Sequence, residues 1–274
     1  MQFVKMNGAG NDFIILDALR DEIPLSSAPE LARTLCDRRR SIGADGLMIV
    51  GPSDRADFRM HFYNADGSAG EMCGNGARCI CRYGYEMGYA GQTQTVESPS
   101  GLVTGWRTDE TQYRIRLVSP SLIRLGLSLN AGGREWLCHY AELGTPGLPH
   151  AVVELDDLGV MPEAELFALG KALRWHPAFP KGANVNFIRL LPDGTVQERT
   201  FERGVEDFTL ACGTGTGSAA AVLTLLGKTD GRDVIFRVPG GTLRAEVRLS
   251  GETVTDLYLT GPAKLVCRGE IIEL

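Results

Sequence analysis

The sequence predicts a mixed α+β chain in which one unit occurs twice, each copy a sheet wrapped around a central helix. Three observations carry that expectation. When the sequence is slid against itself, one offset keeps returning, 139 residues in a chain of 274. Short runs rich in β-branched and aromatic residues recur in both halves. Each half also holds one strong helix that opens on glycines just after a cysteine.

At this offset Gly8 meets Gly147, Gly43-Ala44 meets Gly182-Ala183, Phe62 meets Phe201, Cys73-Gly74 meets Cys212-Gly213 and Gly76 meets Gly215. With one inserted residue, Ser98-Pro99 and Gly101 face Val238-Pro239 and Gly241. Single matches are common in a chain with 34 glycines, but their order along one diagonal is not. The two copies meet near residue 120.

In the first copy Phe13–Leu16, Met60–Tyr63 and Thr95-Val96 read as strands; in the second Ala151–Val153, Val185–Ile188 and Val234–Phe236 do. The first strong helix begins near Gly74 and runs through Tyr85. The second begins near Gly213 and stops at Gly227, a glycine placed to end a helix. It is apolar or small nearly all round, so it should be enclosed by protein on every side. Amphipathic helices are expected at Glu30–Arg39 and Pro162–Leu173.

Apolar residues at 43% supply a packed core, which excludes a disordered or collagen-like chain. With 28 Lys and Arg against 34 Asp and Glu the net charge is −6, and no basic stripe invites nucleic acid or an anionic membrane. The run Arg38-Arg39-Arg40 reads as a solvated helix end. The first residues lack the layout of a signal peptide. The longest apolar stretch, Ala219 to Leu226, falls short of the roughly 20 residues that span a bilayer. A soluble cytoplasmic protein is expected, so its seven cysteines should be mostly reduced. Cys73, Cys79 and Cys81 form no CxxC pair, and His61, His139, His150 and His176 lack metal-ligand spacing. No metal is expected.

Both repeated cysteines precede a glycine-rich helix start. A helix N-terminus presents unpaired N–H groups and partial positive charge. A thiol there is expected to have its pKa lowered from about 8.5 towards 7 or below. The same N–H groups can hold a carboxylate. Phosphate is the competitor, but Gly213-Thr214-Gly215-Thr216-Gly217-Ser218 breaks G-x-G-x-x-G at its last position. Gly227-Lys228-Thr229 ends like a P-loop, yet the first glycine would fall on Val222. If the halves face each other across a pseudo-twofold, Cys73 and Cys212 flank one carbon. A proton can then leave one face and return on the other, which inverts a stereocentre.

The stretch from Asn64 through Ser68 to Cys73-Gly74-Asn75-Gly76-Ala77-Arg78-Cys79 closely resembles the signature of the diaminopimelate epimerases. So do Met6–Phe13, Glu202-Arg203-Gly204 and Ala211–Gly215, and the resemblance runs the length of the chain. It implies two pseudo-symmetric domains, each a β-barrel-like sheet around a central helix. Their expected bounds are 1–118 plus 262–274, and 119–261. The implied activity interconverts LL- and meso-2,6-diaminoheptanedioate in lysine and cell-wall synthesis, without pyridoxal phosphate or any other cofactor. By resemblance Cys73 donates and Cys212 accepts a proton when the LL isomer is consumed, and His150 and Glu202 tune the two thiols. Gly74-Asn75 and Gly213-Thr214 would hold the reacting carboxylate through backbone N–H groups. Asn11, Asn64, Asn184, Glu202 and Arg203 would hold the rest of the substrate. A homodimer is the protein partner the resemblance suggests.

Three positions depart from the family pattern. Leu148 stands where an Asn usually contacts substrate, Gly46 where some members carry Gln, and Cys267 where some carry a Tyr linked to dimerisation. Leu148 bears on the substrate, and the nearest rival is a two-cysteine racemase of another amino acid, such as histidine. A rival from another class is a non-catalytic binding or redox protein using the same cleft. It would need no pair of activated thiols.

Overall fold

Ala9 and Gly10 both take positive φ, 56° and 92°, the geometry of a tight two-residue hairpin turn. They fold β1 (Gln2–Gly8) directly onto β2 (Asn11–Asp17). The computed structural model describes residues 1–70 and 73–274, so Glu71 and Met72 of the first cysteine motif lie outside the described residues. The chain divides into two units, Met1–Ile115 with Thr260–Leu274, and Arg116–Leu259.

The first unit continues through α1 (Ala28–Leu35), β3 (Gly46–Gly51), β4 (Phe58–Asn64), α2 (Gly74–Glu86), β5 (Thr93–Ser98), β6 (Gly101–Arg107) and β7 (Gln112–Leu117). The second holds β8 (Pro120–Ala131), β9 (Arg134–Leu143), β10 (Leu148–Glu154), α3 (Glu163–Arg174), β11 (Asn184–Leu190), β12 (Val196–Glu202) and β13 (Asp207–Thr209). It goes on with α4 (Gly213–Leu225), β14 (Val234–Val238), β15 (Gly241–Ser250) and β16 (Thr253–Pro262). The last strand, β17 (Lys264–Glu270), returns to the first unit and pairs antiparallel with β1, slipping register between Lys5 and Met6.

The internal repeat is visible in the strand pairing. In the first unit β2–β3 is parallel across α1, β3–β4 antiparallel, β4–β5 parallel across α2, and β5–β6 antiparallel. In the second, β10–β11 is parallel across α3, β11–β12 antiparallel, β12–β14 parallel across α4, and β14–β15 antiparallel. A parallel pair needs a crossover, and a helix supplies each one.

Each sheet is covered on two faces, which is why its strands read as unbroken apolar runs. Ile14, Leu16, Leu47 and Ile49 pack with Leu31 and Leu35 of α1. The alternate residues Phe13 and Met48 lie over Gly76 of α2. In the second unit Val185, Phe187 and Phe201 pack with Leu166, Leu169 and Leu173 of α3. The other side of that sheet meets α4, in which every residue from Gly213 to Thr224 is buried. Gly227, at φ 67°, ends this helix as its sequence predicts.

The first amphipathic helix is shorter than its sequence suggests. It stops at Leu35, and Asp37 accepts the N–H groups of Arg39 and Arg40 to start a turn instead. The arginine run therefore does not form a solvated helix end, and Arg38 binds Asp12 and Asp45.

Candidate active site

Cys73 precedes α2 with φ −116° and ψ 114°, and its carbonyl takes the first helical bond from Ala77 N–H at 2.8 Å. The Sγ accepts the Gly76 N–H at 3.5 Å and donates to Asn11 Oδ1 at 3.4 Å. Asn75 Nδ2 reaches the same oxygen at 3.5 Å. The Asn11 amide is held in that sense because its Nδ2 donates to Asp45 Oδ2. Asp45 is fixed in turn by Arg38 Nη2 at 2.7 Å and by its own N–H on Asp12 Oδ1 at 3.0 Å. Burial pushes the Asp12 carboxyl up, but hydrogen bonds and charge from Arg38 and Lys5 outweigh it and leave the group below its usual value.

Beneath the start of α2 lies Arg78, with no exposed surface. Its Nη2 donates to Asn75 Oδ1 at 2.8 Å and its Nη1 to Gly74 O at 3.3 Å. Burial pulls this guanidinium down from its usual pKa, with attraction to Cys79 and Cys73 acting the other way. Asn64, the last residue of β4, is exposed and donates to Ser68 Oγ at 2.9 Å.

Cys212 enters α4 with φ −120° and ψ 104°, and its carbonyl accepts from Thr216 N–H at 2.9 Å. Its Sγ lies 3.6 Å from Thr214 Oγ1. Here the expected depression of the thiol pKa is overturned. Burial pushes Cys212 well above its usual value and the Glu202 charge adds to that. Thr214 and the Gly215 N–H pull back only in part, and Glu198 pushes further up. Burial beside carboxylates disfavours the Cys212 thiolate more than these hydrogen bonds favour it.

His150 is fully buried on β10, next to Asn184 and Asn186 of β11. Asn186 Oδ1 accepts from Thr200 Oγ1 at 3.0 Å, and its Nδ2 donates to Ala151 O at 3.0 Å and towards His150 Nδ1 at 3.3 Å. This orientation makes Nδ1 the acceptor and puts the imidazole proton on Nε2. The Nε2 has no hydrogen-bond partner among the described residues. Burial, with the Arg203 charge behind it, pulls this histidine down to about 3, so it is neutral at pH 7.

Asn184 is used inside the fold more than the sequence suggests. Its Nδ2 donates to Pro149 O at 3.1 Å and its Oδ1 accepts the Arg203 N–H at 2.8 Å. It thereby fixes the backbone that carries Glu202 and Arg203. The Arg203 guanidinium is loosely held, with Nη1 3.4 Å from Lys181 O.

Sequence reasoning missed Asp45, Arg78, Asn186, Glu198 and Thr216. Asp45 and Arg78 sit inside or beside quoted motifs but look like ordinary surface charges. The one signal for the others is parity. Glu198, Thr200 and Glu202 alternate along β12 with Arg199 and Phe201, so they share the face turned to α4. Gly215 explains itself on that face, since a Cβ there would come within 2.1 Å of Asn186 Oδ1. Among the described residues no group of three or more His, Cys, Asp or Glu side chains is arranged to hold a metal ion.

Comparison with known proteins agrees with this arrangement of motifs. The family model for diaminopimelate epimerase matches residues 3–120 and 144–266. A diaminopimelate epimerase of Chlorobaculum tepidum is 40% identical over 270 residues, 97% of this chain and 99% of its own length. One from Methanothrix thermoacetophila is 39% identical over 281 residues, covering 100% and 96%. Among solved structures, a phenazine biosynthesis protein of the PhzF family from Bacillus anthracis matches with a TM-score of 0.78 at 16% identity, covering 100% of this chain and 99% of that one. A probable proline racemase from Agrobacterium radiobacter matches at 0.73 and 19%, covering 98% and 92%. At such identities the likeness is one of fold.

Proposed function

Because the chain belongs to the diaminopimelate epimerase family, we propose that it interconverts LL- and meso-2,6-diaminoheptanedioate with Cys73 and Cys212 as the acid/base pair. It is an isomerase of lysine biosynthesis, and its place of work on this reading is the cytoplasm. The observation that carries the mechanism is the repetition of one device, a cysteine capping a glycine-opened helix at matched points of two like units.

One thiolate removes the α-proton while the other thiol supplies a proton to the opposite face. The carbanionic charge spreads onto the α-carboxylate, and the N–H groups of Gly74-Asn75 and Gly213-Thr214 meet it there. Such donors are already oriented, so they need no rearrangement as charge develops. Neutral His150 offers a buried Nε2–H that has no hydrogen-bond partner among the described residues. With Glu202 beside it, Cys212 rests as the thiol, ready to donate. For it to act as base, a bound α-ammonium must balance the Glu202 charge.

Turnover of LL-diaminopimelate in deuterated water tests the reading. The expected product is meso-diaminopimelate carrying deuterium at the inverted carbon. Leu148, on the half-buried start of β10, is the one residue that favours another substrate. Turnover of histidine with none of diaminopimelate would establish the racemase alternative, and exchange with neither would leave a binding protein.

A further inference from the structure

The α4 face of β12 carries a carboxyl group that the acid/base scheme leaves unused. Glu198 is 1% exposed, and no salt bridge holds it among the described residues. Its Oε2 lies 2.6 Å from Thr216 Oγ1, while its Oε1 has no hydrogen-bond partner among the described residues. Thr216 Oγ1 also lies 3.2 Å from the carbonyl oxygen of Cys212. A hydroxyl has one proton and cannot donate to both.

The protonation of Glu198 decides between the two. As the neutral acid, Glu198 donates through Oε2 to Thr216, and Thr216 donates to the Cys212 carbonyl. As the carboxylate, it claims the Thr216 proton, the carbonyl loses that donor, and a buried negative charge faces the residue that bears the thiol. Among the described residues the other titratable groups on this face are Cys212 on α4, His150 on β10 and Glu202 at the end of β12, with Arg203 just past the strand acting on His150. Burial pushes Glu198 up to about 8, with the Thr216 bond opposing it only in part, so the switch falls just above neutral pH.

We propose that Glu198 is a positioning residue for Cys212, controlling through Thr216 when that thiol can ionise. The proposal rests on the role given to Cys212, but its test reads the thiol directly and needs no turnover. Alkylation of Cys212 by iodoacetamide is followed by peptide mass spectrometry from pH 7 to 10 in the wild type, Glu198→Gln and Glu198→Leu. Glutamine mimics the neutral acid, because its amide N–H can donate to Thr216 at every pH. Leucine carries no charge and leaves the Thr216 hydroxyl to the Cys212 carbonyl at every pH. Both variants should bring the Cys212 midpoint to lower pH and raise its rate at pH 9 at least threefold, with Cys73 unchanged. Should Glu198→Gln fail to fold by circular dichroism, Glu198→Leu decides alone. Curves that superimpose on wild type, or equal shifts at Cys73 and Cys212, overturn the proposal. Absence of epimerisation alongside the alkylation shift would instead overturn the substrate reading and leave this one standing.

Discussion

Cys73 and Cys212 enter their helices with nearly the same backbone, φ −116°/ψ 114° and φ −120°/ψ 104°, yet among the described residues charges of opposite sign act on them. Arg78 lies buried beneath the first, whereas Glu202 and Glu198 press on the second. The repeat fixes where each thiol sits, and the surrounding side chains make the two different. Inversion by two thiols requires that one arrive protonated and the other not.

The first prediction follows from that division of labour. Cys73→Ala and Cys212→Ala should each lower epimerisation by roughly 10²–10⁴-fold or more, the usual worth of one positioned acid or base. Circular dichroism and melting should stay near wild type. A single variant that keeps more than a tenth of the wild-type rate would leave the two-base assignment without support.

Asp45 should matter through Asn11. It accepts the Asn11 Nδ2 proton and so keeps Oδ1 turned to Cys73 and Asn75. Losing a hydrogen bond to a charged group costs about 1.5–3 kcal/mol, so Asp45→Ala should lower kcat/KM by roughly 10–100-fold. The double variant with Asn11→Ala should be little worse than either single one, because both remove the same contact. Losses that simply add would show that Asp45 acts elsewhere.

Much of this was legible in the sequence because glycines and cysteines mark backbone events. The offset joining Cys73-Gly74 to Cys212-Gly213 appears in the structure as the same succession of parallel and antiparallel pairs. Charge was the part that did not read. Whether Arg38 ends a helix or clamps Asp12 depends on residues far away in the chain. Helix-end chemistry predicts a lowered thiol pKa, but only the fold shows that Cys212 is buried beside two carboxylates. Glu198 looks like any strand glutamate until α4 covers it.

Stability should depend on pH with two opposed slopes from one unit. His150 falls from 6.5 to about 3 on folding, so between those values only the unfolded chain binds its proton. Its contribution is present above pH 6.5 and lost as pH falls towards 3. Glu198 rises from 4.5 to about 8, so between those values only the folded chain holds its proton. Its contribution is present below pH 4.5 and lost as pH rises to 8. Each slope is at most about 1.4 kcal/mol per pH unit. Urea midpoints measured from pH 4 to 9 should therefore fall on the alkaline side, and Glu198→Gln should flatten that fall. An unchanged alkaline slope in the variant would mean that Glu198 is charged in the folded protein.

The last prediction concerns Leu148 and Arg203, which separate the two substrates. Leu148 opens β10 opposite Leu143 and has no polar group to offer. If diaminopimelate is the substrate, its distal groups fall to Asn64 and Arg203, whose guanidinium is loosely held at Lys181 O and free to take a carboxylate through its planar fork. A neutral hydrogen bond is worth about 0.5–1.5 kcal/mol, so Leu148→Asn should change kcat/KM on diaminopimelate by no more than roughly tenfold. Arg203→Ala strands a desolvated carboxylate and should lower it by roughly 100-fold or more. A substrate with one carboxylate and an aromatic side chain would reverse the order, resting against Leu148 and tolerating change at Arg203. Measuring kcat/KM of both variants on diaminopimelate and on histidine distinguishes these outcomes. Full activity of Arg203→Ala on diaminopimelate would remove this arginine from the distal site while leaving the roles of the two thiols intact.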